Sequence, residues 1–193
     1  MNQAERQPKS GLGAVMSVCG VLAVVAAAAV VWHHLPAPTD LYGPFEVRGV
    51  AGEPVPGRTV VATVTAVRIA PQVNSVPAAG NWVVVDTVLQ ATRSTELPRA
   101  ELIVGPNTYA PTDRFFMDTL RAEIAPGITQ RGSWVFDVAA PLVAAGAAEP
   151  LTLRVWTGSD ILDSRLAIAI PTDDRRLSRA AAVELTRPEL SAE

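Results

Sequence analysis

The chain has 193 residues, of which 49% are hydrophobic and 18% charged, and its formal net charge is −3. That is more apolar and less charged than an average soluble protein, so one segment must hold the excess. The negative balance leaves no basic footprint for nucleic acid, and a single cysteine, Cys19, excludes an intrachain disulfide.

The excess lies at the front. From Leu12 to Trp32 every residue is apolar or small and none is charged. At 1.5 Å per residue this run makes a helix of about 31 Å, close to the hydrocarbon thickness of a bilayer. A lone span in lipid must be helical, because only a helix satisfies its own main chain there. Arg6 and Lys9, the sole lysine, precede the run, and no Lys or Arg follows until Arg48. This asymmetry predicts a cytoplasmic stub over residues 1–11, a transmembrane helix over 12–32 and export of all that follows. A cleavable signal peptide is the rival reading, with small-residue pairs at Ala26/Ala28 and Ala27/Ala29. The length of the run, and the Val30-Val31-Trp32 that cleavage would expose, favour the anchor. Cys19 as a lipidation site is disfavoured by Val18 before it.

Residues 33–44, HHLPAPTDLYGP, read as a proline-rich tether. Short β-branched runs separated by turn residues follow. Phe45 to Val50 is a first strand. Thr59 to Ile69 is a second, with a β-bulge near Thr65-Ala66 to reconcile Val60, Ala62 and Val64 with Val67 and Ile69. Residues 70–81, with Pro71, Asn74, Pro77 and Gly80, read as a long loop, and Trp82 to Gln90 as the strongest strand. A hairpin turns at Gly105-Pro106-Asn107, between Ala100–Val104 and Thr108–Ala110. Thr119 to Ile124 alternates like a strand, Pro126-Gly127 offers a turn, and Gly132 to Val138 points Trp134, Phe136 and Val138 inward. Residues 139–148 allow one helical turn. Leu151 to Val155 faces Leu151, Leu153 and Val155 inward with Thr152, Arg154 and Trp156 opposite, and Leu166, Ile168 and Ile170 close the series.

Strands that do not alternate with helices predict a mainly β fold, an immunoglobulin-like antiparallel β-sandwich over residues 45–171 behind one N-terminal transmembrane helix. Residues 172–193 read as a polar tail. Leu177, Ala181 and Leu185 allow a short helix over about 174–186, and a frayed tail is the alternative.

The chemistry available is bounded by absences. Both histidines, His33 and His34, directly follow the helix, Cys19 lies within it and Lys9 precedes it, so the exported domain beyond the tether holds no His, Cys or Lys. Ser-His-Asp, Cys-His and Ser-Lys machinery and Schiff-base chemistry are therefore excluded, as are nitrogen and sulfur metal ligands. Carboxylates remain: Asp86, Glu101, Asp113, Asp118, Glu123, Asp137, Asp160 and Asp163. A glycosidase would need two of them across a sugar-sized cleft, which a domain of this size rarely holds. Gly158 to Ser164 lacks the alternating acidic pattern of a calcium loop. Trp82, Trp134 and Trp156 read as packing more than as sugar platforms. We expect no catalytic, cofactor-binding or metal-binding residues and no enzyme activity.

Asn81-Trp82-Val83-Val84-Val85-Asp86, the hairpin ending at Tyr109, Ala125-Pro126-Gly127, Gly132-Ser133-Trp134-Val135-Phe136-Asp137-Val138 and Pro141 together resemble the DUF4352 and MPT63-like immunoglobulin-like extracytoplasmic domains of bacteria, actinobacteria in particular. The resemblance spans roughly residues 55–170 and departs at Ala91-Thr92, where many relatives carry Asn. It implies the sandwich fold and export, and no catalytic residue.

Two functions fit. One is a membrane-anchored, non-catalytic interaction module whose edge strands take a partner strand, as in an accessory subunit of a cell-envelope or membrane complex. Its partners would be the bilayer, through residues 12–32, and another protein. The alternative is a carrier or sensor for a small molecule, lipid or glycan.

Overall fold

A computed structural model describes residues 11–35, 43–147, 149–158 and 163–192. Two units divide the chain, residues 1–42 and 43–193.

In the first unit, α1 spans Gly11–His34. Its apolar residues are spread evenly round the axis, and Met16, Val21, Val24, Val31 and Trp32 are all exposed. An isolated helix that is apolar on every side has no polar face to turn to water. Among the described residues it alone is long and apolar enough to cross a membrane. His33 and His34 form its last turn and belong to the helix, not to the tether; residues 36–42 of the expected tether, like most of the stub, lie outside the described residues.

In the second unit two sheets face each other. One has the order β1-β9-β8-β5-β6, from β1 (Phe45–Val50), β9 (Ser164–Ile170), β8 (Leu151–Trp156), β5 (Arg99–Val104) and β6 (Asn107–Tyr109). The other has β10-β3-β4-β7-β11, from β10 (Leu177–Arg179), β3 (Val60–Val73), β4 (Val76–Ala91), β7 (Ile128–Val138) and β11 (Glu189–Ala192), with the short β2 (Val55–Pro56) also on β3. The chain changes sheets from β4 to β5, returns from β6 to β7 and leaves again for β8. β3-β4-β7 thus match the A-B-E strands of an immunoglobulin sandwich, and β6-β5-β8-β9 match C′-C-F-G. Between the sheets Val64, Val83, Val85, Leu102, Phe136, Leu153, Leu166 and Ile168 are wholly buried in one core cluster.

The run Trp82-Val83-Val84-Val85 is buried at every position, as is Ser133 to Phe136. Alternation fails there because this sheet is covered on both faces. Val83 and Val85 enter the sandwich core. Trp82 and Val84 point outward into a second cluster with Ala70, Val73, Phe115, Val135 and Val183. The Trp82 and Phe115 rings meet edge to face with centroids 5.3 Å apart, and Trp82 Nε1 donates to the Val76 carbonyl at 2.9 Å.

The bulge in β3 falls between Val64 and Ala66, as the phase shift requires. Gly127, at φ 78°, closes the turn from the Ala125 carbonyl to Ile128 N–H.

Three expectations are corrected. Residues 70–81 are not a loop: β3 and β4 continue through them and join at a two-residue turn, Asn74-Ser75, with φ of 45° and 65°. Pro71 is accommodated at a second register shift, between Ala70 and Gln72, and Pro77 lies beyond the reach of β7, where no ladder bond is lost. The Asp137 carboxylate covers the free edge by accepting from Ala79 N–H at 3.0 Å and Gly80 N–H at 2.9 Å. A side chain at Gly80 would put its Cβ 2.1 Å from the Val138 carbonyl oxygen, so glycine is needed there.

Residues 119–124 form no strand. Leu120 and Ile124 belong to the sandwich core, Ile124 forms an isolated β-bridge to Glu96, and Leu120 N–H donates to the Ser133 carbonyl. The end of the chain, finally, is neither helix nor frayed tail. β10 lies parallel on β3, Val183 bridges Val73, and β11 lies antiparallel on β7. Residues 177–192 run as a strap from one edge of the sheet to the other, so the domain extends past residue 171.

Candidate interaction groove

The segment between β6 and β7 is held at several points. Thr112 N–H donates to the Val135 carbonyl at 2.8 Å and Leu120 N–H to the Ser133 carbonyl at 3.0 Å, both on the flank of β7 that β11 does not reach. Thr119 Oγ1 and Asp118 N–H both donate to the Phe115 carbonyl. Arg121 donates to the Thr112 carbonyl at 3.1 Å and pairs with Asp113. Buried Phe115 anchors the segment against Trp82, which leaves its neighbours Phe116 and Met117 turned out to solvent, 60% and 66% exposed. The Arg121 guanidinium lies 5.5 Å from the Phe116 ring centroid and steadies it.

Between this segment and the start of β5 lies a groove of about 620 Å³. Leu97, Pro98, Phe116, Leu120, Trp134 and Trp156 supply its apolar walls, and Arg99, Glu101, Asp113 and Arg121 its charges. Its size is that of a ligand or side-chain pocket. Of the lining residues Leu97 and Phe116 are exposed, and Met117, next to Phe116 in the chain, is exposed too; exposed apolar surface at a groove is the kind that marks a docking site.

Most of the described carboxylates have arginine, hydroxyl or main-chain partners. Asp86 accepts from Arg68 at 2.7 Å and from Ser133 Oγ at 2.6 Å. Glu101 pairs with Arg154 at 3.1 Å, in a ladder on the outer sheet face that includes Glu46 and Arg165. Asp118 accepts from Asn74, and Asp163 accepts from Ser164 N–H and pairs with Arg58. Glu123 is exposed, and Asp160 lies outside the described residues, as do 159–162 of the Gly158–Ser164 segment. Among the described residues Glu101 and Asp113 are the carboxylates that line the groove, and each pairs with an arginine. Of the tryptophans, Trp82 and Trp134 are buried, and Trp134 Nε1 donates to the Leu120 carbonyl; Trp156 lines the groove.

No reading of the sequence picked out Leu97, Arg99, Phe116, Met117 or Arg121. One signal was present: Phe115-Phe116-Met117 places three large apolar residues in a segment with no strand period.

No family model and no curated protein matches this chain. Among solved structures, an uncharacterized beta-sandwich protein from Clostridium difficile 630 is similar to it at 15% sequence identity and a TM-score of 0.41, over 65% of this chain and 95% of that one.

Proposed function

We propose that this protein is a membrane-anchored, extracytoplasmic, non-catalytic interaction module, with α1 in the bilayer, the N-terminus cytoplasmic and the groove beside β5 as its docking surface. The observation that carries the proposal is the presence of exposed Leu97 and Phe116, with exposed Met117 next in the chain, at an open groove whose segment is anchored by buried Phe115. Such a surface stays exposed in water at a cost unless a partner covers it. The lack of His, Cys and Lys after α1 supports a binding role over a catalytic one, as do the arginine-partnered carboxylates. An accessory subunit of a cell-envelope complex fits this description, and so does membership of the DUF4352 and MPT63-like domains. The carrier reading draws on the groove's size; the groove's openness to solvent counts against it, because a carried molecule would need enclosure.

Site-specific photocross-linking in intact cells tests the proposal. A photoreactive residue at Phe116 should give a discrete protein adduct, and one at the equally exposed Phe45 on β1 should not. No adduct from Phe116, or the same adducts from both positions, would overturn it.

A further inference from the structure

β5 is paired along its whole length on one side only. Towards β8 the register runs unbroken from Arg99, opposite Trp156, to Val104, opposite Leu151. On the other side β6 covers only Leu102, Ile103 and Val104. Just before β5 that same edge is occupied again, where Glu96 and Ile124 exchange main-chain hydrogen bonds at 2.9 and 2.8 Å.

Main-chain groups in an antiparallel ladder face alternate sides. Val104 and Asn107 flank the two-residue turn, so the N–H and C=O of Val104 face β6. Those of Leu102 do likewise, and the alternation turns those of Ala100 the same way. Among the described residues no strand lies opposite Ala100, and Ala100 lines the groove. The edge therefore has a short gap at Ala100, with paired main chain above and below it.

The side chains around the gap suit an extended segment. A residue placed opposite Ala100 would point to the same face as Ala100, into the space bounded by Leu120 and Trp134. The groove of about 620 Å³ has room there for a large side chain. Its neighbours in the segment would point to the outer face, beside Arg99. Arg99 is exposed and has no ion-pair partner among the described residues, whereas Glu101 and Asp113 are already neutralised by arginines. The charge left uncompensated is positive.

We infer that the gap beside Ala100 is the seat of an extended polypeptide segment of a partner protein, which adds as a short strand to β5, sets one large apolar side chain against Leu120 and Trp134, and places an acidic residue next to it beside Arg99. This rests on the reading of the groove as a docking surface and names what the partner presents there. Strand addition takes its affinity from main-chain bonds and its specificity from alternate side chains.

The full chain in lipid nanodiscs, challenged with a phage-displayed library of linear peptides and counter-selected on empty nanodiscs, tests the inference. Selected peptides should pair a large apolar residue with a neighbouring Asp or Glu. Synthetic copies methylated on one main-chain nitrogen at a time should lose binding about tenfold at alternate positions only. The Ala100 amide should exchange more slowly when peptide is bound, and Arg99→Glu should weaken the acidic peptides by about tenfold. Peptides that bind in the groove but ignore methylation, or lose binding at every position alike, would overturn strand addition and leave the docking reading intact. The same holds if no peptide is selected while Phe116 still cross-links to a partner. Neither peptide nor cross-link would overturn both.

Discussion

Val183 is the point at which the C-terminal strap meets the sheet. It is 4% exposed and packs with Val73, Trp82, Val84 and Val135. Its N–H donates to the Gln72 carbonyl and its own carbonyl accepts from Asn74 N–H, both at 3.0 Å. Val183→Ala keeps those main-chain bonds and removes only two buried methyl groups. At about 0.8 kcal/mol each, with a cavity contribution added, the expected loss is about 2 kcal/mol. For a domain of this size that lowers Tm by roughly 4–8 °C. Thermal unfolding of the detergent-solubilised chain, followed by tryptophan fluorescence, reports the transition where Trp82 sits. Glu184→Ala, at the exposed neighbour, should stay within about 0.5 kcal/mol of the parent. If Val183→Ala melts with the Glu184→Ala control, the strap is not packed on the sheet and the reasoning is wrong.

Further outcomes follow from local geometry. Ser75 holds a positive φ without being glycine, so Ser75→Gly should raise stability by about 0.5–1 kcal/mol in urea titrations. Asn74→Ala, by contrast, strips the acceptor from Leu185 N–H and the donor from Asp118, and should cost about 1–3 kcal/mol in the same assay. Asp86→Ala leaves Arg68 half-buried beside Ser133 with no counter-charge, and should cost about 1–3 kcal/mol by chemical unfolding, more than Ser133→Ala does. The Asp174 carboxyl is held below its ordinary 3.8, first by the main-chain N–H of Arg176 and then by that residue's side chain. Its stabilising contribution is thus complete above the unfolded value and is lost as pH falls through the folded one. Asp174→Asn should flatten the stability profile below about pH 4, and leave its slope near neutrality unchanged.

The sandwich was legible because period-two burial survives wherever one face meets the core. Leu151, Leu153 and Val155 alternate cleanly against Thr152, Arg154 and Trp156, and β1, β5, β8 and β9 begin and end close to their turn signals. The bulge could be placed because Val64 and Val67 are out of phase and both must be inside. Prolines misled at residues 70–81: Pro71 and Pro77 are strand breakers in a central position, yet here they occupy a bulge and a protruding hairpin end. The strap was hidden because its strands bury little. β11 is exposed throughout, and its pairing with β7 rests on main-chain bonds that leave no mark on side-chain pattern. The groove was hidden for a different reason. Its floor, its rim and its open edge come from β7, a loop and β5, which sit together only after two changes of sheet. A free edge at Ala100 is a property of the length of β6, not of any residue's chemistry.

Everything proposed for this protein depends on α1 holding the domain at the outer face of a membrane. Protease treatment of spheroplasts, followed by alkaline extraction of the membranes and immunoblotting for both ends of the chain, measures that placement directly. The account predicts that the β domain is digested without breaking the cells, while an N-terminal fragment carrying α1 stays with the membrane pellet. A chain that resists protease until the cells are lysed and then comes off in the soluble fraction would contradict it.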